Sequence, residues 1–161
     1  MTIAENLALR RYRSAPLARP FRLDGAALRR FAENLIDGYQ IPAAPEWVVT
    51  RLSGGGLQRV VVARELEHEA PLIVAAQPTR GLDIRSAEFV RQQLLDAAAE
   101  GSGILVVSED LDELMTLADR IIVLYEGTVA AAVARDSFQR HQLGALMLGG
   151  GSAPAHGHDA P

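Results

Sequence analysis

Two short apolar runs, Leu72 to Ala76 and Ile104 to Val107, set the tightest limit on how this chain can fold. Each has the length of a strand, and Pro71 and Pro78 bound the first. An unbroken apolar run of that length fits a strand buried on both faces, as in a parallel sheet. Between the runs Asp83 caps a long helix whose inner face is Ala87, Val90, Leu94, Ala97 and Ala98, and Gly101 ends it. Strand, helix and strand in that order predict an α/β chain with a mainly parallel sheet and helices packed on it. The alternation then continues. Asp110 to Ala118 reads as a short helix, and Ile121 to Tyr125 and Thr128 to Val133 as strands across a Glu126-Gly127 turn. Asp136 is the expected cap of a last helix reaching about Leu148.

The chain before these runs has a different rhythm. Thr2 and Glu5 have the spacing of a capping box, opening a short helix with Ile3, Leu7 and Ala8 on one face. Pro16 and Pro20 break it within the stretch from Ser14 to Phe21. Asp24 caps a second helix with a stripe of Leu28, Phe31, Ala32 and Leu35, and Gly38 stands at its stop. Pro42 and Pro45 mark a connection through Trp47 to Leu52, and Leu57 to Glu67 reads as a third helix. The first third is therefore expected to be helical, without strands. At the other end, Gly149 to Pro161 is built of Gly, Ser, Ala, Pro and His and is expected to be disordered. His156 and His158 are read as part of that solvated tail, because no third ligand lies near them in sequence.

Composition removes several function classes. With 161 residues, 48% of them hydrophobic, the chain can build one core. A net charge of -4 argues against a dedicated nucleic-acid binder. There are 0 cysteines, so disulfides and cysteine metal sites are excluded. No apolar run is long enough to span a bilayer, and Met1 to Arg13 lack the apolar centre of a signal peptide. A cytoplasmic soluble protein is the default expectation. All 16 basic residues are arginine. A P-loop places a lysine ammonium among the phosphates, and this chain has none to offer.

One segment carries chemistry. Leu52-Ser53-Gly54-Gly55-Gly56 runs directly into the third helix. Glycines let backbone amides approach a phosphate, and a helix start adds its positive dipole end. Taken alone, a glycine-rich turn before a helix is usually only a turn. The sequence that follows it, Gln77-Pro78-Thr79-Arg80-Gly81-Leu82-Asp83 after the apolar run Leu72 to Ala76, makes the segment specific.

With these motifs the chain resembles the ATP-binding cassette (ABC) ATPases over about Met1 to Leu148. Leu52 to Gly56 looks like their signature motif, Leu-Ser-Gly-Gly-Gln. Leu72 to Gln77 looks like the Walker B strand, and Gly81-Leu82-Asp83 like the D-loop. Ser108-Glu109-Asp110 falls at the switch-histidine position, and Asp119-Arg120 through Glu126-Gly127 matches the family's closing motif. The finer resemblance is to the second cassette of tandem importers for simple sugars and nucleosides, through Gln77 to Asp83 and Ser108 to Glu113. Thr2 to Leu9 resembles the segment after the Q-loop. The resemblance thus implies a partial P-loop NTPase fold without the P-loop strand: a cassette portion over 1–148, with a helical subdomain and signature loop at 1–56 and an α/β portion at 57–148. Without a P-loop strand, a sheet edge or face is expected to lie uncovered.

The departures from the family pattern decide the expected chemistry. The Walker B aspartate position is Ala76, which has no oxygen for Mg²⁺. The glutamate that would polarise water is Gln77, which takes no proton at neutral pH. The switch histidine is Glu109, an anion where the γ-phosphate would sit. Losing one positioned transition-state contact costs ~3 kcal/mol or more, so three substitutions together predict no autonomous ATPase and no metal site in this chain. In this family two cassettes pair head to tail, and each signature loop serves the other's nucleotide. That implies a role in trans for Ser53, Gly54, Gly55, Gly56 and Asp83, toward ATP and Mg²⁺ held by a partner cassette. Gly56 stands where the family has Gln or Asn, which weakens that contact.

The resemblance further implies an ATP-binding subunit that couples hydrolysis to import. Its partners would be another cassette, membrane permease subunits and, indirectly, a substrate-binding protein, at the inner face of the cell membrane. Its rival is a non-catalytic half-cassette acting as an interaction or regulatory module. ABC-like DNA-repair ATPases are opposed by Ala76, Gln77 and the lack of heptads. Simpler roles are expected elsewhere: His68 on the surface, Glu109 and Asp110 as caps, Asp112, Glu113 and Asp119 on a solvated face, and Asp119 paired with Arg120.

Overall fold

Thr2 opens the first helix, α1 (Ile3–Leu7), with the predicted capping box complete: its hydroxyl accepts from the Glu5 amide and the Glu5 carboxylate accepts from the Thr2 amide. The computed structural model describes residues 1–19, 22–68 and 70–150. Ile3, Leu7 and Ala8 are buried, as their spacing predicts. Asp24 caps α2 (Gly25–Gly38) by accepting from the Ala26 and Ala27 amides, and the helix stops at the expected glycine. Ser53 caps α3 (Gly54–Leu66), which therefore begins three residues earlier than its apolar pattern suggests. The three glycines have no side chains to show periodicity, and the cap decides the start.

These helices close around one core made of Ile3, Leu7, Ala32, Leu35, Ile36, Ile41, Val60 and Ala63. Arg10 and Arg64 pair with Glu65, and Arg11 with Glu67 at 2.5 Å, fastening the start of the chain to the end of α3. The expectation of no strand in the first third is overturned. Ala18–Arg19 (β1) and Arg22–Leu23 (β2) form a two-residue antiparallel pair, and Thr2 bridges Val48. Strands this short carry no periodicity to read.

The apolar run Leu72–Ala76 is β3, and Gly103–Val107 is β4. They pair in a two-stranded parallel sheet across α4 (Ile84–Ala99), the predicted crossover. Asp83 caps α4, and Gly101 ends it with a positive φ of 103°. The helix buries Ser86, Ala87, Val90 and Leu94, but Ala98, placed on the inner face from its spacing, is exposed. Burial on both strand faces is also overturned. Alternate residues Leu72, Val74 and Leu105 lie more than half exposed, giving the uncovered sheet face that the sequence predicts.

By internal contacts the chain falls into two compact units, Met1–Leu105 and Val106–Pro161. The second contains α5 (Leu111–Leu117) and the antiparallel hairpin β5 (Arg120–Tyr125) and β6 (Thr128–Ala134). Its last helix among the described residues is α6 (Arg140–Met147). Glu126 and Gly127, with φ of 47° and 77°, supply the turn. Ile121, Val123 and Leu143 form its core. Asp136 does not cap α6; it sits in a short 3₁₀ turn, Arg135–Ser137, and Gln139 precedes the helix without a side-chain cap. The tail expectation from residue 151 onward, with His156 and His158, lies outside the described residues.

Candidate functional site

The Ser-Gly-Gly-Gly loop owes its shape to a cap. The Ser53 hydroxyl accepts from the Gly56 amide at 3.2 Å, and the Ser53 carbonyl accepts from Leu57 at 2.8 Å. The Gly54 and Gly55 amides belong to the first turn, where no preceding carbonyl is in register to receive them. Ser53 and Gly54 are exposed, Gly55 is half-buried and Gly56 is buried. The loop thus offers a hydroxyl, two amides and the positive end of a helix on its outer side. A Cβ on Gly56 would sit 3.2 Å from Leu52 Cδ2 and 3.5 Å from Pro42 Cγ, so this position faces the protein rather than solvent.

Gly55 backs onto the start of α4. A Cβ there would lie 2.3 Å from Ser86 Oγ and 3.3 Å from Asp83 Oδ2. Asp83 accepts from both the Ser86 amide, at 3.0 Å, and the Ser86 hydroxyl, at 2.7 Å. The amide bond first, and the hydroxyl bond second, hold the Asp83 carboxyl below its ordinary 3.8. A second tie joins the same segments. Gln58 Nε2 donates to the Pro78 carbonyl at 3.0 Å. One residue on, the Arg59 guanidinium donates to the Tyr39 carbonyl at 3.1 Å and lies 3.7 Å above the Phe89 ring. That links the end of α2 to the middle parts of α3 and α4.

Ala76 and Gln77 stand at the end of β3. Ala76 is exposed and brings only a methyl group. Gln77 takes φ of 50°, uncommon for a residue with a side chain, and its carbonyl accepts from Arg80 at 3.2 Å as the chain turns toward Gly81. Ala76 brings no oxygen to a Mg²⁺ ion, and Gln77 brings a neutral carboxamide in place of a carboxylate. Among the described residues no group of three His, Asp or Glu could hold a metal. Glu109 is exposed, in the second unit, and Asp110 rather than Glu109 caps α5, accepting from Asp112 and Glu113.

Sequence reasoning missed or misplaced several side chains. Gln58 and Arg59 follow the glycine run in sequence, but their partners Pro78, Tyr39 and Phe89 are not legible there, and Ser86 belongs to no motif. Glu113 is buried, not on a solvated face; its amide binds the Asp110 cap, which fixes its place in a helix of only two turns. Asp119 pairs with Arg135 at 3.6 Å rather than with Arg120, because β6 brings Arg135 beside it. Asp112 pairs with Arg140, and His68 is exposed as expected.

This fold has known counterparts. The dimeric ATP-binding cassette MJ0796, solved in a post-hydrolysis state with ADP and Pi, superposes with a TM-score of 0.68 at 29% identity. The match covers 86% of this chain and 58% of that one. Fold and motifs together define the class: the chain belongs to the ATP-binding cassette ATPases, of which it holds part of one cassette. Within the class its relatives are import proteins. The nucleoside import ATP-binding protein NupA of Lactococcus lactis subsp. cremoris is 37% identical over 151 residues, 93% of this chain. The glucose import ATP-binding protein TsgD13 of Haloferax volcanii is 37% identical over 158 residues, 96% of this chain. The chain spans 30% and 29% of the length of these two relatives. No family model matches it.

Proposed function

We propose that this chain is the signature-bearing portion of an ATP-binding subunit of an importer for simple sugars or nucleosides, and that its loop completes a partner cassette's ATP site in trans. One observation carries the reading: Ser53 caps a glycine-rich helix start and is exposed with Gly54, while Ala76 and Gln77 bring no carboxylate at the end of β3. Ser53 donates its hydroxyl, and Gly54 and Gly55 their amides, to phosphate oxygens of ATP held by the partner with Mg²⁺. Asp83 flanks that surface. Gln77 cannot take the proton of an attacking water, so the pair of cassettes has one live site and one dead one. Permease subunits complete the assembly at the inner face of the membrane. The import names of the relatives support the substrate class. Among the described residues no helix is long and apolar enough to cross a membrane, which fits a peripheral subunit.

The test mixes the purified chain with a P-loop-bearing cassette. Titration calorimetry should find no Mg²⁺-dependent ATP binding by the chain alone. With the partner, ATP should drive complex formation and raise the partner's hydrolysis, and Ser53→Arg should remove both effects. ATP turnover by the chain alone, or stimulation unaffected by Ser53→Arg, would overturn the reading. A complex that forms without ATP and leaves hydrolysis unchanged would favour the regulatory module instead.

A further inference from the structure

We propose that Ser86, held by Asp83, is a positioning residue for the signature loop, and that position 55 is glycine because of Ser86 rather than because of the nucleotide. This rests on the proposed action of the loop in trans and deepens it. The side of Gly55 that a Cβ would occupy is filled by Ser86, whose Oγ is 2.3 Å and whose Cβ is 3.1 Å from that point. Ser86 cannot easily turn aside. Its hydroxyl donates to Asp83 Oδ2 at 2.7 Å, its amide donates to Oδ1 at 3.0 Å, and the residue is buried.

The contact therefore acts as a stop behind the loop. It fixes how far the Gly54 and Gly55 amides stand from the start of α4, and so where they meet a phosphate approaching from outside. The Gln58 to Pro78 hydrogen bond holds the same two segments together one turn further along α3. Asp83 is accordingly committed to Ser86 and to the first turn of α4, and it acts on the nucleotide through the loop rather than by touching it. An error of about 1 Å in such placement costs roughly a hundredfold in the reactions where it has been measured.

Paired substitutions in the mixed-cassette assay test this. Gly55→Ala places a methyl against Ser86 Oγ and should raise the KM for ATP of the stimulated reaction at least about tenfold, with a smaller change in kcat. Gly55→Ala with Ser86→Ala removes the hydroxyl and leaves the 3.1 Å contact with Cβ and the 3.3 Å contact with Asp83 Oδ2, which shifts of a few tenths of an ångström relieve. The double variant should recover to within about threefold of Ser86→Ala alone. Melting curves of all three variants should show that each is folded.

Folded variants whose losses simply multiply, with no recovery in the pair, would overturn the inference. Glycine at 55 would then be demanded by something outside the chain. A variant that fails to fold is replaced by Gly55→Ser with and without Ser86→Gly, read the same way. Ser53→Arg runs alongside as the control: if it leaves stimulation intact, the trans reading itself has failed. If Ser53→Arg abolishes stimulation and the pair shows no recovery, only the Ser86 inference is lost.

Discussion

The helical part of the first unit and its β3–β4 sheet obey opposite rules of burial. Around α1, α2 and α3 the apolar stripes meet: Ile3, Ala32, Val60 and Ala63 are each 0% exposed. On β3 and β4 the alternate apolar residues are more than half exposed, with Leu72 at 59%, Val74 at 62% and Leu105 at 51%. The same residue types thus serve as core in one region and as surface in the other. An exposed face of this kind marks a contact surface or an aggregation liability. The Ser53–Gly56 loop starts α3 in the closed region, and Ala76 stands at the end of the open strand β3.

The sharpest way to break this comparison is to hollow out the closed region. Leu7→Ala removes a fully buried side chain from the helical core and should cost about 3 kcal/mol, read from urea unfolding. A loss under about 1 kcal/mol would mean the core is not closed. Acidification has a smaller effect, local to the end of α3. Burial alone would raise the Glu65 carboxyl, but hydrogen bonds and charges from Arg10 and Arg64 outweigh it and hold Glu65 below its ordinary 4.5. With the folded value lowered, the stabilisation is fully present above 4.5 and is lost as pH falls through the folded value. A melting temperature that falls below pH 4.5, with a smaller fall in the Glu65→Gln variant, is the expected result. The smallest effect belongs to the open sheet. Val74→Thr and Leu105→Thr should each change stability by no more than about 0.5 kcal/mol and raise the concentration at which the chain stays in solution, measured by light scattering. A loss above about 2 kcal/mol would show that this face is covered after all.

Caps and periods written in a few adjacent residues were legible without a structure. Thr2 with Glu5, Asp24, Asp83 and Asp110 each start a helix where expected, because a cap is satisfied by amides two or three positions away. The strands at Leu72–Ala76 and Gly103–Val107 and the Glu126-Gly127 turn were legible for the same local reason. The motif residues of the candidate site, Ser53 to Gly56 and Gln77 to Asp83, were likewise in view. Their packing on one another was not. The two-residue β1 and β2 pair, the cap that starts α3 ahead of its apolar pattern and the burial of Glu113 gave no periodic signal.

By itself, then, the sequence determined which elements form, where most of them begin, and which chemical group stands at each position: no arrangement in space can turn Ala76 into a ligand. Only the tertiary structure decided which apolar faces are covered, which arginine Asp119 meets, and that Ser86 stands behind Gly55. The division follows from range. Caps and turns are closed by bonds between residues a few positions apart, whereas burial and the Gly55–Ser86 contact depend on segments about thirty residues or more apart arriving at the same place, which no local pattern records.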